Sequence, residues 1–539
     1  MTTGQALWKY LANVGVEYIF GIIGRESESM EVPEAVPRFV LFHNEMCAGI
    51  AAEVYGRVSG RPQVCFSTMG PGVTNLLTGV ASAFKDRSPL LAVSAQSETY
   101  EQHPDTHQYL DSVGLMGPVT KGAWEVTSAE ELYPILDKAF QKMIEPRKGP
   151  CFVSLPADLF AEEYAHQERM STAQKIEPYV DWSGLDDFVR ILENSSQPLI
   201  VCGNAALYGE TPGLVEKLAS SMNIPVATSL AGKGVISERH PLSMGCFTKY
   251  IEEFFDYSLG NEIFAKVDTL ILVGYDHGED LTPKLWKSNP PKQILRINPV
   301  DDGLESLFPE SCLIVDPELD RPIREILNRV SSKKELGIDV ARLRSLRDAR
   351  AGENFTTGTN CMSPFRAVRV VQNGLPEEAL VTVDVGLHKH ICGQIFESAR
   401  PLSYIGSNGL ATMGFGLPAA IGAKLAHPDR PVLTFCGDGG FHSVAAELET
   451  CKRENIPLIV VVLKDNAYGL IRRYHYKGFS RYEEVSTKFN DTDFALLAQA
   501  YGCRGFSATD EDSLSSALKT SLKSNQPSLI EVRVDYNLS

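Results

Sequence analysis

The residues best suited to chemistry lie in a short turn after an apolar run of strand length. Val432–Cys436 leads into Gly437-Asp438-Gly439-Gly440, and a helix is predicted over Ser443–Asn455. Glycines let the backbone approach a ligand closely, and amides at the start of a following helix can hold a diphosphate. An aspartate among them offers oxygen to a hard cation. Taken alone, such a turn is more often an ordinary loop, so its interpretation depends on its neighbours.

A second polar turn follows the next predicted strand. Pro457–Leu463 leads into Lys464-Asp465-Asn466-Ala467. Adjacent parallel strands of an open α/β sheet end at the same edge, and ligands bind at that edge. Asp438, a side-chain oxygen of Asp465 and a backbone carbonyl could therefore supply three oxygens, and Mg2+ would complete its octahedron with diphosphate and water. The two turns together predict a metal and diphosphate site.

Glu45 is a candidate for proton transfer. A glutamate in the first turn of a helix is usually a solvated residue that the helix dipole favours. Here it is followed by the small and apolar residues Ala48-Gly49-Ile50-Ala51-Ala52, which predict a buried helix. A buried carboxyl has a raised pKa and can take part in proton transfer. Glu45 is therefore a candidate catalytic residue.

Parallel sheets are needed to position these residues. Strand-length apolar runs alternate with helix-length periodic segments, which is typical of the α/β class. We predict three doubly wound parallel-sheet domains at 1–165, 180–335 and 360–539, with polar linkers near 161–182 and 330–360. The predicted strands are Tyr18–Ile22, Arg38–Phe42, Gln63–Ser67, Leu90–Ser94, Cys151–Leu155, Leu199–Cys202, Val226–Ser229, Thr269–Val273, Ile294–Ile297, Ala379–Val383, Val432–Phe435, Leu458–Leu463 and Leu529–Val534.

Composition excludes several classes of function. The chain has 539 residues and a formal net charge of -17 at pH 7, which argues against nonspecific binding to nucleic acid. No apolar stretch is long enough for a membrane span, and the first residues do not resemble a secretion signal. The 11 cysteines are scattered without a CxxC pair, as in reduced intracellular proteins. A cytoplasmic protein is expected.

Taken together, these turns resemble the thiamine diphosphate-dependent enzymes of the acetolactate synthase-like family. The family carries Gly-Asp-Gly and, at a set distance, Asn-Asn; the fit here runs from Gly437-Asp438-Gly439 to Lys464-Asp465. By this alignment Asp465 replaces the metal-binding asparagine, and Lys464 is a candidate to offset its added charge. The Ala467 carbonyl would be the third metal ligand.

Four more segments carry the resemblance and imply roles for their residues. Phe42–Gly49 is similar to the segment with the activating glutamate, although most relatives have Arg-His-Glu where this chain has His43-Asn44-Glu45. The resemblance implies that Glu45 shares a proton with the aminopyrimidine of the cofactor, which then attacks a carbonyl and acts as an electron sink. The other three segments are Gly70–Asn75, Asp384–His388 and Gly409–Gly416.

These segments imply the remaining contacts of the cofactor. Gly70 and Asn75 belong to a Gly-Pro-Gly-x-x-Asn turn. The diphosphate would meet Gly386, Leu387 and His388 as well as the glycines of the Gly-Asp-Gly-Gly turn. The Ala411 carbonyl would hold the exocyclic nitrogen, and Met413 would force the cofactor into its bent shape. Ordinary core packing is the alternative for Met413.

The resemblance also implies how the chains assemble. The first domain would bind the pyrimidine and the third the diphosphate and Mg2+, with a middle domain between them. In this family the two halves of each site meet across a subunit interface, so at least a homodimer is implied and a homotetramer is expected. No FAD signature is recognised, and FAD is not expected.

Within this family the sequence most resembles the carboxyethylarginine synthases. The similar segments are Phe20–Glu26, Asp86–Pro89, Ala95–Glu98, Thr106–Gln108, Val273–Asp276, Glu279–Leu281 and Gly437–Ser443. The corresponding active-site residues would be His107, Gln108, Tyr275, Lys389 and His390. Lys389 stands where arginine is expected, so a forked grip on phosphate would become a point charge.

Three functions are therefore open. The first is a transferase or carboligase that acts on a small aldehyde or phosphorylated sugar. The second is an acetolactate synthase or a decarboxylase of a 2-oxo acid. The third is a noncatalytic binding module, suggested by the altered Lys464-Asp465 pair.

Overall fold

Strands form from the apolar runs because a parallel sheet covered by helices buries both faces of each strand. In the computed structural model, three sheets of six strands are parallel throughout, which confirms the α/β class. The domain boundaries remain a prediction. The structure describes residues 1–30, 37–165, 178–247, 263–276, 278, 291–303, 311–331, 333–335, 337–352, 361–478 and 484–536.

The first unit begins with α1, whose N-cap Thr2 forms a capping box with Gln5. Its strands are β1 (Tyr18–Gly21), β2 (Arg38–Leu41), β3 (Val64–Ser67), β4 (Leu91–Gln96), β5 (Ala123–Glu125) and β6 (Cys151–Pro156). Its helices are α1 (Thr3–Asn13), α2 (Glu45–Ser59), α3 (Pro71–Lys85), α4 (Ser112–Met116), α5 (Leu132–Ile144) and α6 (Ala157–Ala161). The strand order is β2-β1-β3-β4-β6-β5.

The middle unit has the strand order of a dinucleotide-binding fold. Its strands are β7 (Pro198–Cys202), β8 (Val226–Thr228), β9 (Ser243–Cys246), β10 (Thr269–Val273), β11 (Gln293–Asn298) and β12 (Ser311–Val315). In the spatial order β12-β11-β10-β7-β8-β9, the chain builds the sheet outwards in opposite directions from the point between β10 and β7, while all strands stay parallel. Its described helices are α7 (Leu185–Asn194), α8 (Thr211–Met222) and α9 (Asp320–Arg329), and α10 (Val340–Gly352) lies within the predicted linker 330–360.

The third unit repeats the topology of the first. Its strands are β13 (Leu380–Val383), β14 (Tyr404–Gly406), β15 (Val432–Gly437), β16 (Ile459–Lys464), β17 (Arg504–Ala508) and β18 (Ser528–Arg533), in the order β14-β13-β15-β16-β18-β17. Its helices are α11 (Pro364–Gly374), α12 (Leu387–Ile395), α13 (Gly416–Ala426), α14 (Asp438–His442), α15 (Glu447–Arg453), α16 (Gly469–Gly478), α17 (Phe494–Ala500) and α18 (Glu511–Leu522).

Two local predictions were wrong. The helix predicted over Ser443–Asn455 is shorter, Glu447–Arg453, and a separate short helix, Asp438–His442, comes before it directly after β15. The sequence pattern also missed five strands, and each is an edge strand of its sheet. They are β5, β9, β12, β14 and β17.

The first and third units pack against each other through α2 and α13. Asn44 caps the start of α2 by accepting a hydrogen bond from Met46 N, and Gly60 ends it in a left-handed conformation. Small residues line the contact: a Cβ atom at Gly422 would lie only 2.1 Å from the Ala51 carbonyl oxygen. One cluster of buried apolar side chains continues across both units. The position of Glu45 at the start of α2 is thereby fixed relative to the third unit.

Two features bear on the environment of the protein. No helix in the described part of the chain is long and apolar enough to cross a membrane. All 11 cysteines are free thiols, and 9 of them are buried.

We predict that Gly422→Ala destabilises the protein by about 1–3 kcal/mol, because the added methyl group overpacks the contact with Ala51. Thermal unfolding would measure this change. Gly213→Ala in α8 is the matched control, since a Cβ atom there meets nothing within 4 Å. That control is expected to be neutral or slightly stabilising. Equal unfolding temperatures for the two variants would contradict the close packing of α2 and α13.

Candidate active site

A cavity of about 460 Å3 opens at the carboxyl ends of β13 and β15. The third sheet reverses its strand order between these two strands, and this is where open α/β sheets bind ligands. The volume is in the range of small-molecule sites. Every described residue of its lining comes from the third unit: Val385–His388, Met413, Gly437–Gly440, Asp465, Ala467–Ile471 and Tyr536.

Glycines line the cavity where side chains would not fit. A Cβ atom at Gly437 would lie 3.1 Å from the His388 ring, and one at Gly440 would lie 2.2 Å from Asp384 Oδ2. At Gly439 a Cβ atom would lie 2.7 Å from the ring of Tyr468. Gly386 has φ +154°, a conformation that favours glycine. The backbone is therefore exposed to a ligand beside the first residues of α12 and α14, where N–H groups suit an anion.

Several buried polar atoms next to the cavity lack a partner among the described residues. They are His388 Nε2, Asp384 Oδ2 and Thr412 Oγ1. Burial lowers the pKa of His388 to about 3, so its imidazole is neutral at neutral pH. Buried polar groups are normally paired. Of these three residues only His388 lines the cavity, so its Nε2 can take a partner from a polar ligand bound there.

Two carboxylates meet at the cavity because β15 and β16 are adjacent parallel strands. Asp438 Oδ2 accepts hydrogen bonds from Asn466 N at 2.6 Å and Asp465 N at 3.2 Å. Burial raises the pKa of Asp438, and burial together with the Asp438 charge raises the pKa of Asp465. A bound cation would favour the ionised form of both groups.

A metal at this position could take a third protein oxygen from the backbone. The described residues contain no group of three or more His, Cys, Asp and Glu side chains that could hold a metal. The Ala467 carbonyl lies at the same cavity and accepts a hydrogen bond from Gly469 N at 2.9 Å, and a carbonyl oxygen has a second lone pair. Two carboxylates and a carbonyl are hard oxygen ligands of the type that Mg2+ takes.

The charge of Asp465 is balanced by a residue that the sequence did not point to. Lys464 is directed elsewhere, with Nζ 2.5 Å from Asp491 and 3.3 Å from Glu531. The expectation that Lys464 offsets Asp465 was therefore wrong. Arg472 on α16 donates to Asp465 Oδ2 at 2.7 Å instead.

The segment expected to face the pyrimidine is held at both ends by buried aspartates. Asp384 Oδ1 accepts hydrogen bonds from Gly414 N at 2.9 Å and Phe415 N at 3.0 Å. At the other end, Asp86 of the first unit accepts from Gly409 N at 2.8 Å. Between these anchors Ala411 has a positive φ of 58°, which is uncommon for alanine.

The side chain of Met413 lies inside this segment and is 43% exposed. It lines the cavity rather than a packed core. The core-packing alternative therefore does not describe the structure.

Glu45 lies in a second cluster, formed by the first unit. Its side chain is buried, and Oε2 accepts a hydrogen bond from Asn75 Nδ2 at 3.1 Å. A Cβ atom at Gly72 would lie 3.4 Å from Glu45 Oε1, so the turn packs closely on the carboxylate. Gly70 has φ +57° and lies against Gln108, whose carbonyl oxygen would be 2.7 Å from a Cβ atom there. The structure thus joins Glu45, Gly70, Asn75 and Gln108.

Contacts with the third unit of the same chain hold the residues before Glu45. His43 N donates to Glu447 Oε1 at 3.1 Å, and His43 Nε2 lies 2.7 Å from Glu449. Glu45 itself does not line the cavity of its own chain. The two predicted halves of the site are therefore both formed, but they are not joined in one described cavity.

Other predicted residues lie apart from both clusters. His107 is exposed on the loop that carries Gln108. Tyr275 is buried in the middle unit, and His390 is buried in α12. Lys389 is also buried, and its Nζ donates to the Ser407 carbonyl at 2.5 Å. None of these four lines the cavity, and Glu279–Leu281 lie outside the described residues.

Sequence reasoning missed several residues of the site. Tyr536 lines the cavity, and burial followed by the charges of Asp465 and Asp438 raises its pKa. Tyr468, Leu470 and Ile471 form another part of the wall. These last three directly follow the Asp465–Ala467 turn, and that position was a usable signal. Tyr536 is near the end of the chain and carried none.

The chain matches three family descriptions in order. Residues 1–115 match the N-terminal TPP binding domain of thiamine pyrophosphate enzymes, residues 185–317 the central domain, and residues 384–532 the C-terminal TPP binding domain. Thiamine pyrophosphate is another name for thiamine diphosphate.

Three curated relatives are similar over nearly their full length. A probable 2-ketoarginine decarboxylase from Pseudomonas aeruginosa is 31% identical, over 99% of this chain and 94% of the relative. The acetolactate synthase isozyme 2 large subunit of Escherichia coli is 29% identical, over 97% and 93%. A probable acetolactate synthase large subunit from Methanocaldococcus jannaschii is 27% identical, over 99% and 92%.

Fold, cavity and relatives define a thiamine diphosphate-dependent enzyme of the acetolactate synthase and decarboxylase type. The chain belongs to the thiamine pyrophosphate enzyme family. The resemblance seen in the sequence is confirmed at this level. The noncatalytic alternative is set aside because the relatives are enzymes by name.

We predict that Asp86→Asn weakens thiamine diphosphate binding about tenfold, because one acceptor that holds Asn408 N and Gly409 N loses its charge. Calorimetric titration of the cofactor would measure this effect. Asp276→Asn is the control, since Asp276 also joins two units but pairs with Arg87 rather than with the loop. The same cofactor affinity in both variants would show that the loop does not depend on Asp86.

Proposed function

We propose that this protein uses thiamine diphosphate and Mg2+ to act on a small carbonyl substrate. One observation carries the proposal: two buried carboxylates, both with raised pKa values, lie beside a glycine-lined cavity at the switch point of the third sheet. Asp438, Asp465 and the Ala467 carbonyl would hold the metal. The diphosphate would lie against Gly386, Leu387, His388, Gly437, Gly439 and Gly440.

The pyrimidine end of the cofactor would be held by the third unit and activated by the first. The Ala411 carbonyl and Met413 would orient the ring, and their loop is fixed by Asp384 and Asp86. When bound, the cofactor supplies a carbon nucleophile that also accepts the electron pair of the bond being broken. Glu45 would hold and return a proton at its carboxylate, in the orientation that Asn75 gives it.

Each active site is proposed to combine two chains. Glu45 is buried in the first unit of its own chain, and the described lining of the cavity comes entirely from the third unit. A partner chain would bring its own Glu45 to this cavity. A homodimer is therefore the minimum assembly, and a homotetramer is expected.

Two observations favour a 2-oxo acid over a phosphorylated sugar as the substrate. Lys389, the expected phosphate-binding residue, is buried and bound to the Ser407 carbonyl. The relatives include a probable 2-ketoarginine decarboxylase and acetolactate synthases. The reaction would break the bond between the carboxyl and carbonyl carbons and release CO2. The carboxyethylarginine synthase-like transferase is the second candidate, with His107, Gln108, Tyr275 and His390 as its substrate residues.

We predict that purified enzyme releases CO2 from a 2-oxo acid, tested with pyruvate and with a 2-oxo acid that carries a guanidinium group. The result follows from the proposed substrate class, and mass spectrometry of the products would identify it. Glyceraldehyde 3-phosphate with arginine is the competing substrate pair. A joined product from that pair, with no CO2 from either acid, would establish the transferase instead.

We also predict that Glu45→Gln leaves cofactor binding within about twofold and lowers kcat by about 10²–10⁴-fold, because glutamine keeps the shape but cannot carry the proton. Calorimetry and steady-state rates would measure the two effects. Glu449→Gln, which changes a nearby exposed contact to His43, is the control. Native turnover in the Glu45 variant would overturn its role.

Hybrid assemblies test whether the site is shared. If Glu45→Gln and Asp438→Asn chains are co-expressed and pair at random, about half of the dimers contain one chain of each kind. In such a mixed dimer one of the two sites keeps both native residues. About a quarter of native activity should therefore return. If each site belonged to one chain, the mixture would stay as inactive as the separate variants.

A further inference from the structure

Asp465, which stands where the family resemblance leads us to expect asparagine, forms a buried ion pair with Arg472. Arg472 NH2 lies 2.7 Å from Asp465 Oδ2, and the two side chains are 16% and 6% exposed. Because both side chains are largely shielded from water, the surrounding protein holds this ion pair in place. Arg472 lies in the first turn of α16, which follows the Asp465–Ala467 turn directly.

Charge at the proposed metal site creates a need for this pair. The family pattern has a neutral asparagine where this chain has Asp465. A second carboxylate beside Asp438 strengthens attraction for a divalent cation, but it also repels the diphosphate that must bind next to it. Lys464 cannot relieve this repulsion, because its Nζ is taken up by Asp491, Glu531 and the Thr492 carbonyl.

We propose that Asp465 and Arg472 act as one unit that replaces the asparagine. Arg472 is a positioning residue: it binds Oδ2, cancels the added charge towards the diphosphate and leaves the second carboxylate oxygen to the metal. This inference rests on the metal site of the proposed function. It explains how the family's cofactor can be kept although the metal-binding residue has changed.

A double-mutant cycle tests the unit. Asp465→Asn alone leaves the guanidinium beside the cation without its carboxylate, so the Kd for Mn2+ should rise at least about tenfold. Arg472→Gln alone leaves the carboxylate uncompensated, so Mn2+ binding should be kept while the Kd for thiamine diphosphate rises about tenfold. The double variant recreates the neutral family pattern. It should bring both constants back to within about threefold of the native values.

Binding is measured without turnover. Electron paramagnetic resonance of free Mn2+ gives the metal affinity of the full-length protein, and calorimetry at saturating metal gives the cofactor affinity. Arg473→Gln is the matched control, since it removes the same charge from the next residue of α16. If Arg472→Gln does not fold, Arg472→Met replaces it, because methionine also removes the charge. Arg472→Lys is a second check on the role of the charge. Lysine keeps the charge without the planar fork, so cofactor affinity should stay near native.

The outcomes separate this inference from the proposed function. Asp438→Asn should abolish Mn2+ binding at this site; unchanged binding would show that the proposed metal site itself is wrong. If Asp438→Asn abolishes binding but Arg472→Gln behaves like Arg473→Gln, the paired unit is overturned and the metal site stands. A double variant that binds no better than the weaker single variant would overturn the unit as well.

Discussion

The site depends on one constraint, which is the negative charge gathered at the carboxyl ends of two adjacent strands of the third sheet. Parallel pairing of β15 and β16 brings Asp438 and Asp465 together, and burial holds both pKa values above the ordinary range. Backbone N–H groups and Arg472 balance part of this charge. A bound cation with its associated anion can balance the remaining negative charge. Glycines are needed because that anion must approach the main chain.

The central strands could be predicted because each is an apolar run buried on both faces. The missed strands are all edge strands. Ser243–Cys246 has a weak local pattern, since its sequence Ser-Met-Gly-Cys has no β-branched or aromatic residue. A sheet edge is defined by the neighbour that it pairs with, and that neighbour lies elsewhere in the sequence. The three-unit organisation was nevertheless visible, because it depends on the central strands alone.

The same contrast between local patterns and long-range partners applies to the residues of the site. Glycine turns and their aspartates are local, and the sequence located them. Lys464 ends β16 and Asp465 begins the turn after it, and their side chains pair with different groups, Asp491 and Arg472, so the neighbour in sequence was the wrong partner. Asp86 and Asn408 are 322 residues apart, and no local pattern could have joined them. Long-range partners of this kind required the structure.

Asp86 and Arg87 touch all three units. The Asp86 carboxylate binds the loop of the third unit, its carbonyl accepts a hydrogen bond from Asn204 of the middle unit, and Arg87 pairs with Asp276. These two adjacent residues therefore connect all three units of the chain. A unit exchanged on its own would therefore break at least one of these contacts, unless the incoming unit carried a matching group at the same place.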